Sequence, residues 1–147
     1  MSAPEEIHEE IILDHHKRPR NFRALPDCTC VAEGVNSSCG DEVKVFVDIK
    51  DDMLSDIGFQ GQGCAISRAS ASLMTVRCKG RACAEVGEIV ASVRAMLLAS
   101  GDNLTGDLGD LIALSGVRRF PARVKCALLP WHTLEAALDG RTRATSE

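Results

Sequence analysis

The chain contains no tyrosine, one tryptophan and four phenylalanines, so aromatics make up only 3% of its 147 residues. Surfaces that bind single-stranded nucleic acid stack bases on exposed rings, and this chain has almost none to offer. It also lacks an excess of positive charge. Its formal net charge is −4, which argues against binding a phosphate backbone. No apolar run approaches the ~20 residues that a bilayer span requires. The N-terminus, M-S-A-P-E-E-I-H-E-E, has neither the basic nor the apolar region of a secretory leader. These absences predict a cytoplasmic protein whose partners are neither nucleic acid nor membrane.

What the chain does have is aliphatic side chains and thiols. Hydrophobic residues make up 45% of it, and its length suits one domain spanning residues 1–147 around a single core. Seven cysteines are many for a cytoplasmic domain of this size. Thiols stay reduced in that compartment, so some are expected to bind metal or carry sulfur.

Periodicity divides the chain into a helix, three strands and then helices. Ile7, Ile11 and His15 share one face of a first helix, which must end near Arg18 because Pro19 disfavours helical geometry before it. An extended run is expected from Cys28 to Val35. Val43, Val45, Val47 and Ile49 alternate with Lys44, Phe46 and Asp48, the pattern of a half-buried strand. Asp51-Asp52 turns the chain, and Leu54 to Gln60 returns as the next strand. Ala65 to Val76 reads as a small-residue helix. Val86, Ile89, Val90, Val93 and Leu97 mark an amphipathic helix that stops at Gly101. Asn103 to Val117 suits short helical pieces and loop. A last helix passes through Trp131, Leu134 and Leu138 to Gly140; either it begins near Pro130, or Pro130 sits inside it and kinks it. The tail, 141–147, is expected to fray. This order predicts an α+β fold: an N-terminal helix, a three-stranded antiparallel sheet, then helices packed on one face.

The chemistry concentrates at element ends. In N-S-S-C-G-D, Asn36 to Asp41, a turn accounts for Asn36, the serines and Gly40 but not for Cys39. Cys39 and Asp41 precede a strand, Cys64 follows G-Q-G ahead of a helix, and Cys126 opens the final helix. Such ends can converge at one pole of a small domain. Three thiolates and a carboxylate form a tetrahedral zinc set, and a hard oxygen among soft sulfurs suits a site that opens. A helix N-terminus lowers the pKa of a thiol such as Cys64, and Arg123 and Lys125 would offset the negative charge. A rival set exists: Cys28 and Cys30 with Cys78 and Cys83 could form a closed structural zinc knot. Each cysteine could equally be a small buried hydrophobe. His8, His15 and His16 read as solvated or packed residues, and His132 as a surface one.

The motifs S-S-C-G-D, G-Q-G-C-A-I-S-R-A-S-A-S and F-P-A-R-V-K-C, with I-L-D-H-H-K-R-P-R-N near the start, resemble the IscU/SufU (NifU N-terminal-like) family of iron–sulfur cluster assembly proteins. Within it, Lys125 where scaffold members carry histidine, and the long stretch between Cys64 and Cys126, resemble the SufU branch. Ser38, where the family usually has proline, and the Cys28/Cys30 pair depart from the pattern. The resemblance implies a Zn2+ ion held by Cys39, Asp41, Cys64 and Cys126. It also implies sulfurtransferase activity, with Cys39 accepting persulfide sulfur from a PLP-dependent, SufS-like cysteine desulfurase beside Arg123 and passing it to downstream cluster-assembly proteins. The alternative it implies is a scaffold that binds an iron–sulfur cluster on the same cysteines.

Overall fold

A computed structural model describes residues 4–37, 40–98 and 108–145. Ser38, Cys39 and the helix stop expected at Gly101 lie outside these residues.

Helix α1 spans Pro4–Lys17 and ends two residues before Pro19, as proline's steric demand on its predecessor requires. Three strands follow: β1 (Cys30–Asn36), β2 (Asp41–Lys50) and β3 (Met53–Gln62). Both neighbouring pairs are antiparallel. Val43, Val45 and Val47 are buried, so the alternation in the sequence marks the face that meets the helices. Between β2 and β3 the chain turns on Asp51 (φ 52°) and Asp52 (φ 62°). Two successive left-handed residues match the twist of a two-residue hairpin, and aspartate tolerates that conformation.

The remaining elements are α2 (Ala65–Cys78), α3 (Cys83–Leu98), a run of 3₁₀ turns over Gly109–Arg119, and α4 (Pro121–Leu138). Pro130 lies inside α4, which begins at Pro121. Of the two placements the sequence allows, the helix takes the one in which Cys126 lies on the same helix as Pro130. α4 crosses the sheet directly over Gly34, where an added Cβ would overlap the Thr133 hydroxyl and come 3.1 Å from Leu129 Cδ1. This close approach carries the first turns of α4 to the end of β1. Among the described residues no helix is long and apolar enough to cross a membrane.

One expectation needs correction. The sheet is four-stranded and mixed, in the order β3-β2-β1-β4, not three-stranded and antiparallel. The sequence leaves 141–147 as a frayed tail; in the structure Arg143–Thr145 form β4, parallel to β1. The cause lies at the end of α4. Gly140 adopts φ 74°, its N–H bonds the Ala137 carbonyl, and the Arg141 N–H reaches back to the Ala136 carbonyl at 2.8 Å. This is the Schellman pattern. It reverses the chain, and Glu33 N–H then bonds the Thr142 carbonyl at 2.9 Å, docking the tail on the open edge of β1. Three residues carry too little periodicity to announce a strand.

A buried polar link joins α1 to α2. The Arg20 N–H donates to Ser72 Oγ at 2.8 Å, and Ser72 Oγ lies 2.7 Å from His15 Nδ1. Ser72 Oγ accepts from the Arg20 N–H and keeps its own proton to offer to Nδ1 of the neutral ring. Burial pushes the His15 pKa below its ordinary 6.5, and the charge of Arg20 adds to the shift. The unfolded chain therefore takes up a proton before the folded one as the pH falls. This contribution to stability is complete above pH 6.5 and is lost on acidification through the lower folded value. Ser72→Ala should cost about 1–3 kcal/mol in urea unfolding near neutral pH, and His15→Gln should flatten the loss of stability on acidification. An unchanged midpoint for the first and an unchanged acid slope for the second would show that the link is incidental.

Candidate metal and thiol site

Asp41, the first residue of β2, is 1% exposed. A carboxylate this deep needs donors. Its Oδ1 accepts the Cys64 N–H at 2.9 Å, and its Oδ2 lies 3.9 Å from Cys64 Sγ. Cys64 in turn is the N-cap of α2, in extended conformation, with its Sγ accepting the Ser67 N–H at 3.5 Å. A sulfur thus takes the place that a serine or aspartate oxygen usually occupies, and the N-terminal end of the helix favours it as an anion. Gly63 makes the approach possible. A Cβ there would lie 2.6 Å from Asp41 Oδ1.

Cys126 enters from the second turn of α4 and is wholly buried. Its S–H donates to the Ala122 carbonyl at 3.6 Å, and the Asn36 side-chain amide lies 3.9 Å from its sulfur. Ligand atoms of Asp41, Cys64 and Cys126 all lie within 4.8 Å of one another. Zn–S bonds near 2.3 Å in a tetrahedron would put two sulfurs roughly 3.8 Å apart. The set therefore needs a contraction of roughly 1 Å at most to grip an ion, and its two sulfurs and one oxygen suit zinc.

Arg123, one helical turn before Cys126 and exposed, forms the solvent side of the site. Its pKa is raised, first by the negative charge of Cys64, and further by hydrogen bonds to Cys64 and Cys126. Lys125 is also exposed.

Of the four residues proposed as a metal set, the structure brings together Asp41, Cys64 and Cys126, while Cys39 lies outside the described residues. The rival set does not assemble: among the described residues, Asp41, Cys64 and Cys126 form the one group of ligating side chains close enough for a metal. Cys28 donates its S–H to the Cys30 carbonyl at 3.4 Å. Cys78 is buried in the core, where loss of hydration pushes its thiol up to about 12. The histidines are not part of the site. His15 is packed against Ser72, and His132 is half-buried, with its pKa lowered by burial and by Arg94.

Sequence reasoning overlooked Asn36. It reads as a turn residue; it is the last residue of β1, fully buried, and paired with Asp41 across the hairpin. Its distance of three residues from Cys39 was the one available signal.

The family described as NifU-like N-terminal domain matches residues 7–138. The chain is 39% identical over 129 residues to the zinc-dependent sulfurtransferase SufU of Bacillus subtilis, covering 88% of this chain and 87% of that protein. It is 38% identical over 138 residues to the iron–sulfur cluster assembly scaffold protein IscU of Thermotoga maritima, covering 93% and 96%. Among solved structures, FiSufU from Fervidobacterium islandicum AW-1 superposes with a TM-score of 0.81 at 37% identity, over 92% of this chain and 99% of that one.

Two outcomes are expected. Gly63→Ala should push Asp41 from its position and lower Zn2+ affinity by at least about tenfold in chelator competition; wild-type affinity would mean the carboxylate is not a ligand. Zn2+ affinity of the unaltered chain should fall from about neutral pH to about pH 6, because protons compete for the thiolates. Affinity constant over that range would exclude thiolate ligation.

Proposed function

The chain belongs to the family of NifU-like N-terminal domains, and on that premise we propose that it is a zinc-dependent sulfur acceptor of the SufU type. In this reading it takes persulfide sulfur from a cysteine desulfurase and passes it on for iron–sulfur cluster assembly. The observation that carries this reading is the meeting of Asp41, Cys64 and Cys126 within 4.8 Å of one another, with Arg123 hydrogen-bonded to both thiols. The likeness to Bacillus subtilis SufU, over most of both chains, supports it. So does Lys125 in place of a histidine beside Cys126, since a lysine side chain brings hydrogen-bond donors and no acceptor and leaves the ligand set to sulfur and carboxylate.

Cys39 stands two residues before Asp41 in the sequence and completes the set as the acceptor. Bound zinc would hold the cysteines as thiolates near neutral pH. The chain's own residues supply the rest. Cys39 sulfur attacks the terminal sulfur of the partner's persulfide, forming a new S–S bond. The partner's S–S bond breaks, and its cysteine departs as a thiolate. Arg123, exposed and already paired with thiols, offers a positive charge to the anions that form and leave. Asp41, Cys64 and Cys126 stay in place.

A second reading, a scaffold for an iron–sulfur cluster, has a specific observation in its favour: the 38% identity to Thermotoga maritima IscU over almost all of both chains. The same thiolates can ligate iron. The two readings part on metal content and colour. A sulfur acceptor keeps zinc through purification and stays colourless after anaerobic iron and sulfide treatment; a scaffold turns brown and passes its cluster to an apo-acceptor.

Desulfurase turnover should rise severalfold on adding this protein and return to the basal rate with Cys39→Ala, as measured by sulfide or alanine release. Full stimulation by Cys39→Ala would end the sulfur-acceptor reading.

A further inference from the structure

Three thiolates and a carboxylate around a divalent ion leave a net negative charge that must be offset in a largely buried place. On the solvent side Arg123 does this. At the helix start the Ser67 N–H does it for Cys64, at 3.5 Å. Cys126 is wholly buried, so its thiolate would carry a desolvation cost that calls for a donor. Among the described residues a polar group beside it is the Asn36 side chain, itself 0% exposed, whose Nδ2 lies 3.9 Å from Cys126 Sγ. The present S–H of Cys126 points to the Ala122 carbonyl. Once that proton is lost, the sulfur is an acceptor only, and an Nδ2–H is aimed at it.

We propose that Asn36 is the positioning residue for the third thiolate, donating an N–H···S hydrogen bond that holds and tempers Cys126 as a permanent metal ligand. The inference rests on the metal reading above and adds a residue to it. Asn36 is well placed for a second reason. Its carbonyl accepts the Gly40 N–H at 2.9 Å, and it pairs with Asp41 across the β1–β2 ladder. One residue therefore closes, through its backbone, the connection that carries Cys39, and holds, through its side chain, the cysteine on α4. An N–H donor stabilises a buried thiolate over its thiol, so protons compete less well with the metal for that sulfur. Cys126 so bonded stays on the ion, and the exchangeable position falls to the thiol on the hairpin connection.

The test uses the full chain loaded with Co2+ and, separately, with 113Cd2+. Asn36→Leu keeps the γ-branched shape and removes the donor. Its thiolate-to-cobalt charge-transfer band should move to lower energy, because the Cys126 lone pairs lose their stabilisation. Its Co2+ affinity should drop about tenfold. In 15N-labelled wild-type protein holding 113Cd2+, a correlation between the metal and one Asn36 Nδ2 proton is expected across the N–H···S bond. This measurement needs no variant and decides the matter if Asn36→Leu does not fold. A folded Asn36→Leu with an unmoved band, or a wild-type spectrum without that correlation, overturns the role of Asn36 and leaves the metal site standing. Wild-type protein that shows no thiolate-to-cobalt band at all would overturn the metal reading, and this inference with it.

Discussion

The Asp41 carboxylate is the group on which the site depends. It is buried at the start of β2 and answers one donor from the main chain, the Cys64 N–H. That bond ties the end of a hairpin to the start of a helix separated from it by the whole of β2 and β3. The stored cost is desolvation of a carboxylate, which an N–H donor partly offsets and a cation would offset further. Gly63 follows from the same constraint, since any side chain there would occupy the space of Asp41 Oδ1. The site is thus built from a polar group that the core tolerates only because its neighbours are arranged around it.

The second constraint is the path of α4. It must lie flat on the sheet to bury Leu129, and Gly34 lets it do so. With that contact made, Cys126 arrives beside Asn36 and within reach of Cys64. Pro130 does not prevent this. It has no N–H to donate to the Cys126 carbonyl, and the helix continues through it. Core packing and ligand placement are therefore one requirement. Trp131 donates its indole N–H to Ser70 Oγ at 3.0 Å, and Ser70 donates to the Ala127 carbonyl at 2.6 Å, locking α2 to α4 next to the thiols that each helix carries.

Much of this was legible beforehand. Alternating valines marked the inner face of β2, paired aspartates marked its turn, Pro19 marked the end of α1 and Gly140 the end of α4. Cys64 between a glycine-rich turn and a helix pointed to an N-terminal thiolate. Asn36 was misread because asparagine before serines and glycine has the composition of a turn, and composition does not report burial. β4 was missed because three residues with no periodicity become a strand only when an open edge is at hand.

By itself the sequence determined the α+β class of the fold, the order of α1 and the first three strands, and the chemical inventory: seven thiols, a carboxylate after Gly40, and basic residues before the last cysteine. These follow from local rules of period, turn chemistry and side-chain type. Which thiols belong together was decided only by the tertiary structure. Cys28, Cys30, Cys78 and Cys83 had a rival, weaker claim on spacing alone, and burial and distance separated them from Asp41, Cys64 and Cys126. The reason is that a metal set is a matter of distances between segments far apart in the chain. Those distances are set by how helices pack on a sheet, and no local rule of sequence contains them.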